Sequence, residues 1–324
     1  MNETALTNVL VEGLSARRNC NGQNAARLVT DHRPLADIPT QPPYARAMSM
    51  AVFGIVLFAA ALHATWNALV KSGDDKILTT ILVAGSGAAI AIIVLPFLPA
   101  PARPSWPFIA ASTFLQIIYY VLIAQVYRIA DMGEAYPLMR GTAPLLVAVV
   151  SVNFLDELFA PLAWLGVITI CVGILGMAVG RRAGRGKGVS LALLNAVVIA
   201  GYTLIDGAGV RRSGAPAAYA LWIFLLTGVP LVLWALAMRR QELRRYVAVN
   251  WPAGLVGGLG SGVSYGLALW VMNFAPVPVV AALRETSILF GVAISGLILK
   301  ERVGPARLAG ACMIAGGAIA LRLA

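Results

Sequence analysis

Two arginines stand where a bilayer would penalise them. Arg140 and Arg284 lie five or six residues inside long apolar stretches, roughly 8–9 Å from the predicted helix starts at 1.5 Å rise per residue. An arginine at that depth costs about 2.5–3.5 kcal/mol and belongs on a bundle interior or beside water. Such a pair could grip a carboxylate or phosphate, whose oxygens match the guanidinium fork. The competing reading has each arginine snorkelling to the interface, or bonding carbonyls loosened near Pro137, Pro144, Pro276 and Pro278. Glu285 follows Arg284 directly. Consecutive helical side chains point about 100° apart, so Glu285 can face a cavity or enter an internal ion pair. Asp206 is the other acid in a late-span position, four or five residues before Arg211 and Arg212. Either acid could carry a proton, and for Asp206 an interfacial position beside those arginines is the alternative.

Around these charges lie amphipathic groups that could line a solute path. His63, Trp66 and Asn67 share a helical face by their three- and four-residue spacing, and Thr65 lies among them. Gln116, Tyr119, Tyr120 and Gln125 fall in the third apolar stretch, Tyr202 and Thr203 in the sixth, and Ser264, Tyr265 and Trp270 in the eighth. Of these, His63, Trp66, Asn67, Tyr119, Tyr120, Tyr202, Tyr265 and Trp270 are, with the two arginines, the candidates for touching a solute. The alternatives are a packed histidine with a satisfied hydrogen bond, an interfacial aromatic belt, and interhelical hydrogen bonds. His63 is the one histidine in an apolar stretch, which disfavours an imidazole metal site, and no residue pattern calls for a cofactor. Gly262-Val-Ser264-Tyr-Gly266 fits GxSxG, but a serine nucleophile needs a base within hydrogen-bond reach, and His63 lies in the first stretch. A glycine at every fourth position from Gly254 to Gly266 explains the pattern as a groove for another helix backbone, one that could also receive a second copy of the chain.

The elements that must position these residues are apolar helices. Of 324 residues 59% are apolar and only 12% charged, about half the charge of a soluble domain. Hydropathy predicts ten membrane spans, at 50–70, 77–98, 106–127, 134–154, 162–180, 188–210, 217–238, 251–273, 279–299 and 305–323, each long enough for a hydrocarbon core of about 30 Å. Residues 1–49 hold five arginines, four acids and four prolines without an apolar run. They read as a disordered tail or as an extension upstream of a start at Met48 or Met50. The net charge of +11 falls in short loops, which points to topology and not to a nucleic-acid partner. Loops after odd-numbered spans carry fourteen lysines and arginines, and the opposite side from Ala51 onward carries four. That bias places the odd loops in the cytoplasm and both termini outside. Cys20, Cys171 and Cys312 form no disulfide framework.

An internal repeat organises the spans. Sliding 140–176 onto 284–320 without gaps pairs Arg140 with Arg284, Thr142 with Thr286, Glu157 with Glu301, Pro161 with Pro305, Gly166 with Gly310 and Gly173 with Gly317, among ten identities in 37 positions. Greasy segments matching by chance would share Leu, Val and Ala. The unit holds five spans, residues 50–187 and then 188–324, and an odd count inverts the second copy in the bilayer. Inverted repeats are characteristic of secondary transporters. Spans three, four, eight and nine are expected to wall a shared cavity.

The segment His63-Ala-Thr-Trp-Asn-Ala-Leu-Val-Lys71 resembles the first helix of EamA-type transporters of the drug/metabolite transporter superfamily. So do Met139-Arg-Gly-Thr-Ala-Pro144 and Leu283-Arg-Glu-Thr-Ser287, each followed by a Leu-x-Glu hairpin (Leu155-Asp-Glu157, Leu299-Lys-Glu301), a proline and a Gly-rich closing helix. The resemblance implies ten helices in two inverted five-helix halves around a central cavity, and a solute drawn from amino acids, sugars, nucleotide-linked metabolites or drugs. It also implies cytoplasmic termini, against the charge count. Residues and resemblance together predict an all-α integral membrane protein, multi-pass in the inner (plasma) membrane. Its predicted role is secondary transport of a small metabolite by alternating access, with proton coupling through Glu285 or Asp206 as one option. The arginines favour an amino acid or organic anion over a lipophilic cation. A lipid-linked-substrate flippase or multidrug exporter of the same fold is the alternative. No GxxxxGK[ST] loop provides for direct ATP drive, and no nucleophile–base or metal constellation supports an enzyme.

Overall fold

The computed structural model describes residues 48–129, 132–154, 159–177, 187–298, 300 and 303–324. The tail over 1–47, the hairpin residues Asp156, Glu157 and Glu301, and the basic loop with Arg181, Arg182 and Arg185 lie outside the described residues.

Helices follow the apolar stretches in order: α1 Met50–Ser72, α2 Lys76–Val94, α3 Trp106–Ile129, α4 Met132–Phe154, α5 Pro161–Gly176, α6 Lys187–Ser213, α7 Pro216–Met238, α8 Arg240–Val271, α9 Val277–Arg284, α10 Ser287–Ala293 and α11 Pro305–Leu323. Helices α9 and α10, extended by a π turn at Ile294–Ile298, form one span. Among the described residues nine spans are long and apolar enough to cross a membrane. The tenth, α5, runs 16 residues as described, roughly 24 Å. Prolines sit in the first turn of α5, α7, α9 and α11, where the missing N–H has no intrahelical partner to lose. The large apolar side chains that remain exposed, such as Phe58, Ile93, Leu165 and Leu233, face outward, as a lipid-embedded surface requires.

One expectation fails at α8. Hydropathy starts the eighth span at 251, whereas the helix begins at Arg240, so about 16 Å of helix precedes the apolar part. Leu243 turns inward against Leu78, Ile81 and Ala235, with Tyr246 and Val247 packed on the same cluster, while Arg240, Arg244 and Arg245 stay exposed. Hydropathy registers composition and misses a polar segment held by one apolar stripe. Asp75 and Arg239 lock this end. The Asp75 carboxylate accepts from the backbone N–H groups of Ile77 and Leu78 at 2.9 and 3.0 Å, capping α2. It also accepts from Arg239 at 2.9 Å, and Arg239 pairs with Glu242 as well. Partial burial raises the Asp75 carboxyl, but the Leu78 N–H and the Arg239 guanidinium outweigh it and hold the group below its ordinary value.

The packing is reciprocal between the two halves. Helix α1 packs on α8 and α3 on α6; α4 packs on α6, and α9 and α10 pack on α1. Helices α2 and α7 pack on each other, as do α4 and α9. Helices α5 and α11 approach each other closely through facing glycines. A Cβ at Gly166 would lie 2.9 Å from the Gly317 carbonyl, and one at Gly173 would lie 2.9 Å from the Gly310 carbonyl. Ascending numbers on one helix meet descending numbers on the other, so α5 and α11 run antiparallel. A shift of 144 residues converts Gly166 into Gly310 and Gly173 into Gly317, and therefore turns the first contact into the second.

The glycine stripe of α8 is used within the chain. A Cβ at Gly258 would meet Ser86 and the Gly87 backbone N at 2.8 Å, and one at Gly254 would run into Leu82. The groove thus receives α2. Gly262 and Gly266 face open space or distant contacts.

Candidate functional site

The ninth span changes geometry where its charges lie. At Glu285 and Thr286 the backbone tightens to i→i−3 bonds: Glu285 N–H donates to the Ala282 carbonyl and Thr286 N–H to that of Leu283, both at 3.0 Å. The Thr286 hydroxyl donates to the same Leu283 carbonyl at 2.6 Å. A 3₁₀ turn inside a helix is a common hinge geometry. The turn separates α9 from α10 and presents Glu285, 4% exposed, to the facing α4.

Arg140 meets it there. The Arg140 Nε lies 2.9 Å from Glu285 Oε2, with side chains 11% and 6% exposed. The snorkelling reading of Arg140 therefore fails. Because α4 and α9 start from opposite ends of the bundle, residues eight positions into each meet near mid-depth, about 12 Å from either helix start. Glu285 pairs across the repeat, not with its neighbour Arg284. The first-half counterpart of Glu285 is Gly141, where a Cβ would fall 2.8 Å from Leu175 Cγ and 3.3 Å from the Cys171 carbonyl, so a side chain there would have to displace Leu175.

His63 adjoins the pair. Its Nε2 lies 3.3 Å from an Arg140 terminal nitrogen, and its Nδ1 lies 3.2 Å from the Trp66 indole nitrogen. The rings of His63 and Trp66 meet edge-on, 5.2 Å apart. Asn67 donates to the His63 carbonyl at 2.7 Å, and Thr65, exposed, bonds back to the Ala61 carbonyl. His63, Asn67, Tyr136, Ser287, Ser295 and Arg307 are among the residues lining a cavity of about 330 Å³, near the lower end of small-molecule sites. Its lining comes from α1, α4, α5, the ninth span and α11, at the ends adjoining the basic odd-numbered loops. Spans three and eight, expected in the wall, contribute none of it. They are drawn away because α8 packs on α1 and α2, and α3 on α6.

A second polar cluster surrounds Asp206. Fully buried, Asp206 accepts from the Tyr219 hydroxyl at 3.0 Å through Oδ1 and from the Tyr265 hydroxyl through Oδ2, with the buried Ser112 hydroxyl beside it. The interfacial reading of Asp206 is therefore wrong: Arg211 turns away to the carbonyls of Met272 and Ala275, and Arg212 stacks on Phe108. Gln116 extends the cluster, donating to Ser112 Oγ and Tyr265 Oη at 3.2 and 3.4 Å. Arg284 lies over the Tyr265 ring, 5.1 Å from its centroid, and among the described residues it has no carboxylate within salt-bridge distance. Tyr202, 9% exposed, is within electrostatic reach of Arg140, Arg284, Asp206 and Glu285, so it stands between the clusters. Tyr119 stacks edge-on against both Tyr120 and Tyr202.

The structure does not bring Trp270 to either cluster. It is 39% exposed and stacks on Phe274, 4.9 Å away, as an outward-facing aromatic would. Gln125 is exposed as well. Ser264 is committed to the Ala59 carbonyl at 2.7 Å, tying α8 to α1 without a base at hand. Tyr136, Ser112 and Tyr219 are additions that sequence reasoning missed. Tyr136 carries a signal in hindsight, four residues before Arg140 and so on its face, whereas Tyr219 meets Asp206 from a different span.

This arrangement can be set beside known proteins. A solved crystal structure, 18% identical in sequence, superposes with a TM-score of 0.65 over 84% of this chain and 96% of its own; at that identity the likeness speaks for the fold. No curated protein matches the sequence. Residues 186–323 match the EamA-like transporter family. That segment resembles EamA-type transporters. It spans α6 to α11 and therefore holds Asp206, Tyr265, Arg284 and Glu285. The EamA fold is an integral membrane fold, in keeping with the multi-pass all-helical bundle, and its members are membrane transporters of small solutes. The resemblance read from Leu283-Arg-Glu-Thr-Ser287 is borne out over these residues.

Proposed function

We propose that this chain is a secondary transporter of the inner (plasma) membrane, moving a small zwitterionic or anionic metabolite by alternating access of two inverted five-helix halves, residues 50–187 and 188–324. The observation that carries the reading is the Arg140–Glu285 ion pair, which joins the halves at mid-depth beside a cavity lined by His63 and Tyr136. The antiparallel α5–α11 contact, which the repeat shift maps onto itself, supports the inversion. Sites at the repeat interface near the midplane are where alternating access requires them.

The charges suggest the solute. Arg140 and Arg284 formally balance Glu285 and Asp206. A zwitterion such as an amino acid leaves that balance unchanged, while an organic anion is accommodated with a proton on an acid. Asp206 suits that role: it is buried, held by hydroxyl groups that can stay bonded in either protonation state, and among the described residues no cation forms a salt bridge with it.

The test is counterflow of labelled amino acids and organic anions in proteoliposomes, with and without a proton gradient. Flux of at least one such solute is expected, lost in Arg140→Ala and in Arg284→Ala while both remain folded. Asp206→Asn should keep counterflow and lose the response to the gradient. Flux confined to lipophilic cations, or undiminished in both arginine variants, would overturn the reading.

A further inference from the structure

His63 has a donor on each side of its ring. The Trp66 indole N–H points at Nδ1, and a terminal Arg140 nitrogen faces Nε2. Indole and guanidinium groups donate and cannot accept, and a neutral imidazole has one accepting nitrogen. No single tautomer therefore satisfies both contacts.

Geometry decides between them. Trp66 lies one turn along the same helix as His63, with the rings edge-on, so α1 itself enforces that contact. Nδ1 then accepts from Trp66, and the ring proton sits on Nε2. Arg140 cannot readily withdraw, because its Nε is held by Glu285. Two donors, His63 Nε2–H and an Arg140 terminal N–H, are left facing one another; the Tyr136 hydroxyl of the cavity wall bonds the Arg140 guanidinium, and among the described residues no acceptor lies on His63 Nε2. Buried donors left facing one another call for an explanation, and His63 borders the cavity. A solute oxygen supplies what is missing.

We infer that His63 and Arg140 form a carboxylate seat where His63 borders the cavity, with Trp66 as a positioning residue that fixes the donating tautomer. The inference rests on the anionic or zwitterionic reading of the solute and narrows it to one chemical group. A monoanionic carboxylate fits better than a phosphate dianion, because the seat has one cation with the Glu285 carboxylate directly behind it. An amino acid or a simple carboxylic acid meets that requirement, whereas an amide or a sugar does not.

The full chain in lipid nanodiscs, with ¹⁵N-labelled histidine, provides the test. A His63→Gln sample identifies the His63 signals against those of His32. The probes are acetate, benzoate and alanine, with acetamide and benzamide as neutral isosteres and inorganic phosphate as a second anion. His63 should carry its proton on Nε2, and at least one carboxylate should shift that resonance while the amides and phosphate do not. Trp66→Phe should mix the tautomers and weaken carboxylate binding by roughly fivefold or more, the loss of about one hydrogen bond to a charged group. His63→Gln, which retains an N–H donor, should bind better than His63→Leu. A ring protonated on Nδ1, unchanged His63 signals with every carboxylate, or full affinity in Trp66→Phe would overturn the seat. If these fail while counterflow still depends on Arg140, the transport reading stands without the seat; if counterflow also fails, both readings fall.

Discussion

Removing either partner of the Arg140–Glu285 pair leaves a buried charge alone, and the cost should be large enough to measure. At 2.9 Å and an effective dielectric constant of ~20, the direct attraction is about 6 kcal/mol. Desolvation opposes it, and breaking a buried pair by deleting one partner typically costs about 3–5 kcal/mol. In a membrane the unfolded state also finds partners for polar groups, which leaves about 2–3 kcal/mol for either Arg140→Met or Glu285→Met. At about 2–4 °C per kcal/mol, each variant should unfold roughly 4–12 °C lower in detergent, followed by tryptophan fluorescence. The double variant decides the matter. With both charges gone there is no orphan to bury, so it should lose no more than either single variant and could recover part of the loss. Additive losses in the double variant, or single variants within about 0.5 kcal/mol of the parent chain, would refute the buried pair as the joint between halves.

Two further perturbations test the frame around that joint. Gly173→Ala and Gly310→Ala press a methyl group into the carbonyl of the facing helix and should each cost about 1–3 kcal/mol, whereas Gly262→Ala, with open space around it, should be neutral or up to about 1 kcal/mol stabilising; thermal unfolding of the three side by side checks the ordering. Asp75→Ala should lose about 0.5–2 kcal/mol at neutral pH through the missing cap. Because the folded carboxyl sits below its ordinary value, the parent chain carries this stabilisation above about pH 4 and loses it as pH falls through the folded value. Stability–pH curves of parent and variant should therefore converge in acid, and a constant gap down to the lowest accessible pH would contradict the assignment.

The sequence makes the spans legible because a bilayer demands long apolar helices, and nine of ten starts fall within two residues of expectation. The exception, α8, shows what composition hides: Arg240–Asn250 is polar yet helical, held by Leu243 and Tyr246. Arg140 and Glu285 were each visible as residues out of place, but their pairing depends on the antiparallel crossing of α4 and α9, which no local spacing encodes. The surroundings of Asp206 are hidden from the sequence for the same reason. Its near neighbours in sequence are Arg211 and Arg212, whereas its partners Tyr219 and Tyr265 come from two other spans. Trp270 stands away from both clusters, exposed and stacked on Phe274; type alone does not tell an outward-facing aromatic from a cavity-facing one.

The asymmetry between Glu285 and Gly141 has a consequence for the proposed transport cycle. A carrier built from two equivalent halves could rest with equal ease facing either way, since each orientation would be the other turned over. Here only the second half carries an acid at the crossing, and Leu175 and the Cys171 carbonyl crowd the matching position at Gly141. In the proposed cycle the two orientations of the empty carrier would therefore differ in energy, and every 1.4 kcal/mol between them is a tenfold preference. Such a preference leaves the final distribution of solute untouched, because that is fixed by the gradients. It would determine on which side the unloaded protein waits, and hence from which compartment it captures dilute solute more effectively.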